Sequence, residues 1–304
     1  MLNTGAASRF LDLRALAALA HMRFVTRRRI DGAFSGRHQS RQQGGAGEFV
    51  DYREYSHGED LRRLDWKALA RTERAYIKLY QDETNLRCTL ALDTSRSMLF
   101  GQAAANSTAG SKLEYAQYLA TALSHVIGLA QDQVGLAVLG SRLQELLPPG
   151  STGTHLSGIY SHIAALQAQP TLTLAPALQD LFARGGRRGV LLLMSDFLVD
   201  DLEEAFAALR LFRHRQWEVI VLHLVHPDEE RLPDGGAFRF EGLENEGQVA
   251  CTPAEIRASY QELFARHLAM VRTLSLSGGC DYRRVSTQTS YLKTLGGFLV
   301  ERSG

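Results

Sequence analysis

Four oxygen-bearing side chains, at two places in the chain, have types and spacing suited to holding a hard cation. Asp93-Thr94-Ser95-Arg96-Ser97 sets a carboxylate and two hydroxyls at alternate positions, directly after the apolar run Cys88 to Leu92. Ser195-Asp196 follows a second such run, Val190 to Met194. The carboxyl ends of parallel strands form one ligand-binding edge, so two runs ending in Asp93 and Asp196 bring both carboxylates to it. Mg²⁺ prefers octahedral oxygen ligation, keeps several waters and needs only one or two carboxylates, and Mn²⁺ suits the same donors. The plainer reading makes each Asp the cap of the helix that follows it.

The elements that must position these residues are legible from periodicity. From Arg87 onward, apolar runs of strand length alternate with amphipathic segments, the pattern of an α/β fold with a parallel sheet covered on both faces. Strands are expected at Cys88 to Leu92, Val134 to Leu139, Val190 to Met194 and Val219 to Leu224. Between the first two, Leu113, Ala116, Leu119, Ala120, Leu123, Val126 and Ile127 share one helical face. Further helices fit 155–168, 175–183, 202–213, 253–274 (with Pro253 at its first position) and 287–301. Before the sheet, 8–29 reads as an amphipathic helix with Ser8 available as its cap, followed by a basic, glycine-rich loop through Arg27, Arg37 and Arg41. The stretch 48–85 is dense in Arg, Asp, Trp and Tyr, with a short helix expected at Asp65 to Arg71 and a strand at Ala75 to Tyr80. The expected division is therefore an N-terminal mixed α/β module over 1–86 and a doubly wound, mainly parallel α/β domain over 87–304.

Composition narrows the function classes. The 304 residues carry 34 Lys+Arg against 33 Asp+Glu, a net charge of +1 that gives no global reason to expect a nucleic-acid ligand. Cys88, Cys251 and Cys280 are odd in number and widely spaced, which fits free thiols in a reducing compartment. No uncharged run is long enough for a membrane span, and the protein is expected to be cytoplasmic. No loop ends in Gly-Lys-Ser/Thr, so nucleotide chemistry has no footing.

Asp93, Ser95, Ser97 and Asp196 resemble, in order and context, the metal-ion-dependent adhesion site of von Willebrand factor A domains. The rest of the chain is similar to the family called domain of unknown function 58, in which an N-terminal module precedes an A-type domain. The resemblance rests on Gly47-Glu48-Phe49, Arg53-Glu54-Tyr55, Gly58-Glu59-Asp60, Arg62, Leu64-Asp65-Trp66 and Ala70-Arg71, then on Asp93 to Met98, Ser195-Asp196-Phe197, His226-Pro227-Asp228-Glu229 and the closing Tyr282, Val285 and Thr287. It implies a Rossmann-type, von Willebrand factor A-like sheet. One position departs. The family's loop Thr precedes a Leu in a Thr-x-Leu-x-x-Ala-Leu pattern, and alignment on Leu174 to Leu178 puts Leu172 in that slot. Either Thr171 or Thr173 takes the role with the loop shifted by one residue, or the site is incomplete.

The resemblance implies an interaction protein and not an enzyme: a bound Mg²⁺ or Mn²⁺ keeps a position open, and a partner's carboxylate fills it. It further implies a MoxR-type AAA+ ATPase as partner, with an unknown client, in chaperone-like assembly or maturation. The alternatives are a scaffold with a degenerate metal site that binds through its N-terminal module, and a metal-dependent phosphohydrolase with Asp93 as nucleophile. Against the latter, Ser95 stands where such enzymes place a second Asp.

Overall fold

The computed structural model describes residues 9–19, 21–26, 48–55, 65–72, 74–81, 86–101, 110–170, 173–186, 188–244 and 247–303. They fall into two compact units, one joining Met1–Arg28 to Arg87–Gly304 and the other spanning Arg29–Leu86. Among the described residues, 9–19 and 21–26 thus cluster with the sheet, where the sequence grouped 1–86 together. Phe10 packs edge-on against Tyr118 at 4.8 Å, and Phe24 lies 5.9 Å from Phe298. The long helix expected over 8–29 is, among the described residues, a single short one, α1 (Leu13–Ala17), because the Asp12 carboxylate accepts from the amides of Arg14 and Ala15 and starts the helix there. Residues 27–47, with the basic loop, and 56–64 lie outside the described residues.

In the smaller unit, β1 (Glu48–Glu54), α2 (Trp66–Thr72) and β2 (Tyr76–Gln81) form an antiparallel pair joined through a helix. The Asp65 carboxylate accepts from the Ala68 amide and caps α2, and the Trp66 side chain is exposed. The expected short helix and second strand are both present.

The sheet unit continues through β3 (Arg87–Asp93), α3 (Lys112–Leu129), β4 (Gln133–Leu139), β5 (Leu143–Gly150), α4 (Gly153–Ala165), α5 (Leu174–Arg184) and β6 (Val190–Ser195). It then runs through α6 (Leu202–His214), β7 (Glu218–Val225), α7 (Pro227–Glu230), β8 (Phe238–Glu241), β9 (Gln248–Cys251), α8 (Pro253–Ser277), β10 (Asp281–Ser286) and α9 (Tyr291–Ser303). The lateral order is β10-β7-β6-β3-β4-β5, parallel throughout except for β5. This is a doubly wound α/β sheet, and the four expected strands are its centre. Both faces of those strands are buried, which is why they read as continuous apolar runs rather than alternating ones. Ala91, Leu191, Leu193, Val219 and Val221 pack with α5 and α6, while α3 lies with α4 and α9 against the other face.

β5 and β10 were not expected. β5 is an edge strand that carries Pro148 and Pro149, and β10 is charged and only partly buried, so neither shows the apolar run of a central strand. Gly135 of β4 lies so close to β5 that a Cβ there would meet the Leu147 carbonyl oxygen at 2.7 Å. All three cysteines are free thiols. Among the described residues, no helix is long and apolar enough to cross a membrane.

Candidate functional site

Asp93 ends β3 and Ser195 ends β6, and these strands are direct neighbours, with Leu92 level with Met194. From β3 the chain winds outward through β4 and β5, then returns to add β6 on the other side. The reversal of direction falls between β3 and β6, where doubly wound sheets open a crevice at the carboxyl ends of their strands. The fold therefore brings the two expected carboxylates together at its switch point.

The local geometry is a continuous chain of hydrogen bonds. One Asp93 oxygen accepts from the Ser95 amide at 2.7 Å, and the other accepts from the Ser195 hydroxyl at 2.6 Å. The Ser195 oxygen in turn accepts from the Phe197 amide. Ser95 and Ser97 hold their hydroxyls 2.9 Å apart, and the Ser97 hydroxyl also acts on the Asp196 carboxylate. Asp196 Oδ1 accepts from the Leu198 amide at 3.1 Å. Phe197 makes this turn possible with φ of 57°, a left-handed conformation that bulky residues avoid. Packing holds it there: the ring is fully buried, stacked on Phe206 and edge-on to His223.

The loop from which a Thr was expected is anchored beside these donors. Gln169 donates its amide to the Thr94 carbonyl at 2.6 Å, and Ser95 pairs with Gln169 as an isolated parallel bridge. Thr171 and Leu172 lie outside the described residues. Thr173 is exposed at the start of α5 and its side chain makes no capping bond. The Asp201 carboxylate accepts from the Leu174 and Ala175 amides instead.

Two charged residues that the spacing did not flag complete the cluster. Lys112, the first residue of α3, is fully buried and donates from Nζ to Asp196 Oδ2 at 2.7 Å and to Glu229 Oε1. Glu229 also accepts from the His226 amide at 2.7 Å, closing a capping box on α7. His226-Pro227-Asp228-Glu229, one of the stretches that carry the family resemblance, thus contributes its Glu to the interior. A signal for Lys112 was present: a cation in the first turn of a helix opposes the helix dipole and needs a compensating anion. At the rim, the Ser97 amide donates to Glu244 Oε1 at 3.0 Å.

Electrostatics separate the two aspartates. Burial, with the neighbouring Asp196 charge, pushes Asp93 up to about 7 against the hydrogen bonds that favour its ionised form. Burial acts on Asp196 too, but the Lys112 ammonium holds that carboxyl below the ordinary range. Lys112 stays charged because Asp196 and Glu229 outweigh the cost of its burial. Among the described residues, Asp93 has no ion-pair partner. With all groups ionised, three carboxylates and one ammonium leave two net negative charges.

This donor chemistry fits a divalent hard cation. A fully buried carboxylate with no counter-charge stands beside two paired hydroxyls and a second carboxylate. Among the described residues no group of three His, Cys, Asp or Glu is placed to hold a metal, so any such ion relies on Ser95 and Ser97 as much as on the carboxylates.

Comparison with known proteins gives two kinds of likeness. The family described as "Protein of unknown function DUF58" matches residues 51–270. The uncharacterized protein Rv1480 of Mycobacterium tuberculosis is 25% identical over 296 residues, covering 96% of this chain and 90% of that protein. Among solved structures, the conserved hypothetical protein BatB from Bacteroides thetaiotaomicron is 20% identical, covering 72% of this chain and 99% of that one, with a TM-score of 0.47. The SpRpn10 VWA domain is 11% identical, covering 70% of this chain and 95% of that one, with a TM-score of 0.40.

Proposed function

The chain belongs to the DUF58 family, and from that premise and the donor cluster at its sheet edge we propose a protein-interaction module that recognises its partner through a bound divalent cation. The observation that carries this reading is the convergence of Asp93, Ser95, Ser97 and Asp196 at the switch point, with Asp93 buried and, among the described residues, lacking a counter-charge. Mg²⁺ or Mn²⁺ supplies that charge, keeps a coordination position open, and accepts a carboxylate from the partner. The protein's own residues fix the ion, and the partner's acid reads its presence. Thr171 or Thr173 is the further donor this reading requires.

A catalytic role has less support. Both Asp93 oxygens are engaged by Ser95 and Ser195, which restrains the carboxylate and does not free it for in-line attack. The expected partner is a MoxR-type AAA+ ATPase acting on a client, with this chain as a non-enzymatic, cytoplasmic adaptor in assembly or maturation. The reading is tested by calorimetric titration of Mg²⁺ and Mn²⁺ into metal-free wild-type protein and Asp93→Ala, with folding checked by circular dichroism. Binding to the wild type that disappears in a folded Asp93→Ala protein is the expected result. Absence of binding in both overturns the reading and moves the search to the smaller unit with its exposed Trp66.

A further inference from the structure

We infer that Lys112 is a resident cation of the sheet edge, a tethered ammonium that competes with the divalent ion for Asp196 and so sets how tightly that ion is held. The inference rests on the metal-site reading above, and it concerns a residue that the reading does not use.

The geometry is specific. Nζ of Lys112 reaches Asp196 Oδ2 at 2.7 Å and also pairs with Glu229, while the ammonium stands 5.8 Å from the centre of the Phe100 ring. The side chain is fully buried at the first position of α3, where the helix dipole disfavours a cation. Two carboxylates outweigh that penalty, and one of them belongs to the donor cluster. Any ion ligated by Asp196 therefore shares that carboxylate with an ammonium that cannot diffuse away. Like charges at such range in a poorly screened interior repel strongly, so Lys112 weakens divalent binding.

Glu229 sets the strength of this competition. It offers the ammonium a second anion, held in place by the His226 amide and, through its backbone carbonyl, by the Tyr260 hydroxyl at 2.8 Å. The more Lys112 leans on Glu229, the more of Asp196 is left for the ion. Lys112 and Glu229 are positioning residues under this inference: they act on the ion only through Asp196.

The test removes the ammonium and one carboxylate together, so the cluster keeps its two net negative charges while Asp196 loses its competitor. The double variant Lys112→Met/Glu229→Gln deletes both charges and keeps the side-chain lengths close. Mn²⁺ binding to the wild type and the double variant is measured by electron paramagnetic resonance of the free ion, with folding confirmed by thermal melts. The expected result is Mn²⁺ affinity about tenfold or more higher in the double variant. Equal or weaker affinity in the folded double variant overturns the inference while the metal-site reading stands. Binding by the double variant alone supports the inference and overturns that reading for the native chain, because Lys112 then fills the site. No binding by either overturns both. The single variant Glu229→Gln gives an independent check that does not depend on the double variant folding. It leaves Asp196 as the ammonium's one carboxylate, so Mn²⁺ affinity is expected to fall severalfold, and an unchanged or higher affinity overturns the inference.

Discussion

His223, in the middle of β7, shows how a single side chain ties the interior of the sheet to solution pH. It is 1% exposed, its Nδ1 lies 3.1 Å from the Tyr282 hydroxyl, and burial, helped by His267, lowers its pKa to about 3. A histidine depressed in the folded state binds its proton mainly when the chain unfolds. Its stabilising contribution is therefore complete above about 6.5 and declines as pH falls toward 3. Between pH 7 and pH 5 the wild type is expected to lose about 1–2 kcal/mol more than His223→Gln, measured by urea denaturation of metal-free protein. Asp93, whose pKa is raised, works in the opposite direction over part of that interval, so the comparison with the variant is what isolates His223. At this scale the Asp-x-Ser-x-Ser spacing announced the cluster because three of its donors lie within five residues. Lys112 and Glu229 are 117 positions apart, and no local pattern could pair them.

At the scale of elements, short connections do the positioning. Gly101 has φ of 93°, and a Cβ there would come within 2.3 Å of the His226 ring, which caps α7 and so supports Glu229. Gly101→Ala is expected to cost about 2 kcal/mol or more, through both backbone strain and displacement of that cap. Gly158, inside α4, has nothing within 4 Å of the corresponding point, and Gly158→Ala is expected to add about 1 kcal/mol by helix propensity alone. Guanidinium melts of the two variants should therefore move in opposite directions. The long central strands and helices were legible because burial on both faces leaves an unbroken apolar run. α3 goes further than its expected stripe: Tyr115, Thr121 and Ser124 are buried as well, since α4 and α9 cover flanks that a surface helix would expose to water. The β8–β9 hairpin escaped notice because its strands are only four residues long and almost wholly exposed, too short to carry a periodic signal.

Across the whole molecule, the ends of the chain are held by one buried ionic centre. Arg302, in the last turn of α9, pairs with Glu218 at the start of β7 and with Asp281 of β10 at 2.9 Å, and it donates to the Val25 carbonyl at 2.7 Å. Its guanidinium also lies 5.0 Å from the centre of the Phe24 ring. Arg302→Met removes a buried ion pair and the tie to the Val25 carbonyl, and is expected to cost about 3–5 kcal/mol, read by urea denaturation. Nothing in the spacing of residues 25, 218 and 302 predicts this join. Pro148 and Pro149 of β5 act at the same scale. Successive residues of a strand aim their amides to opposite sides, so two adjacent prolines remove one donor facing β4 and one facing outward. The inward gap coincides with the irregular register between β4 and β5. A missing donor on the open side weakens the pairing of an incoming strand, so copies of this protein are discouraged from zipping together along that flank into a continuous ribbon.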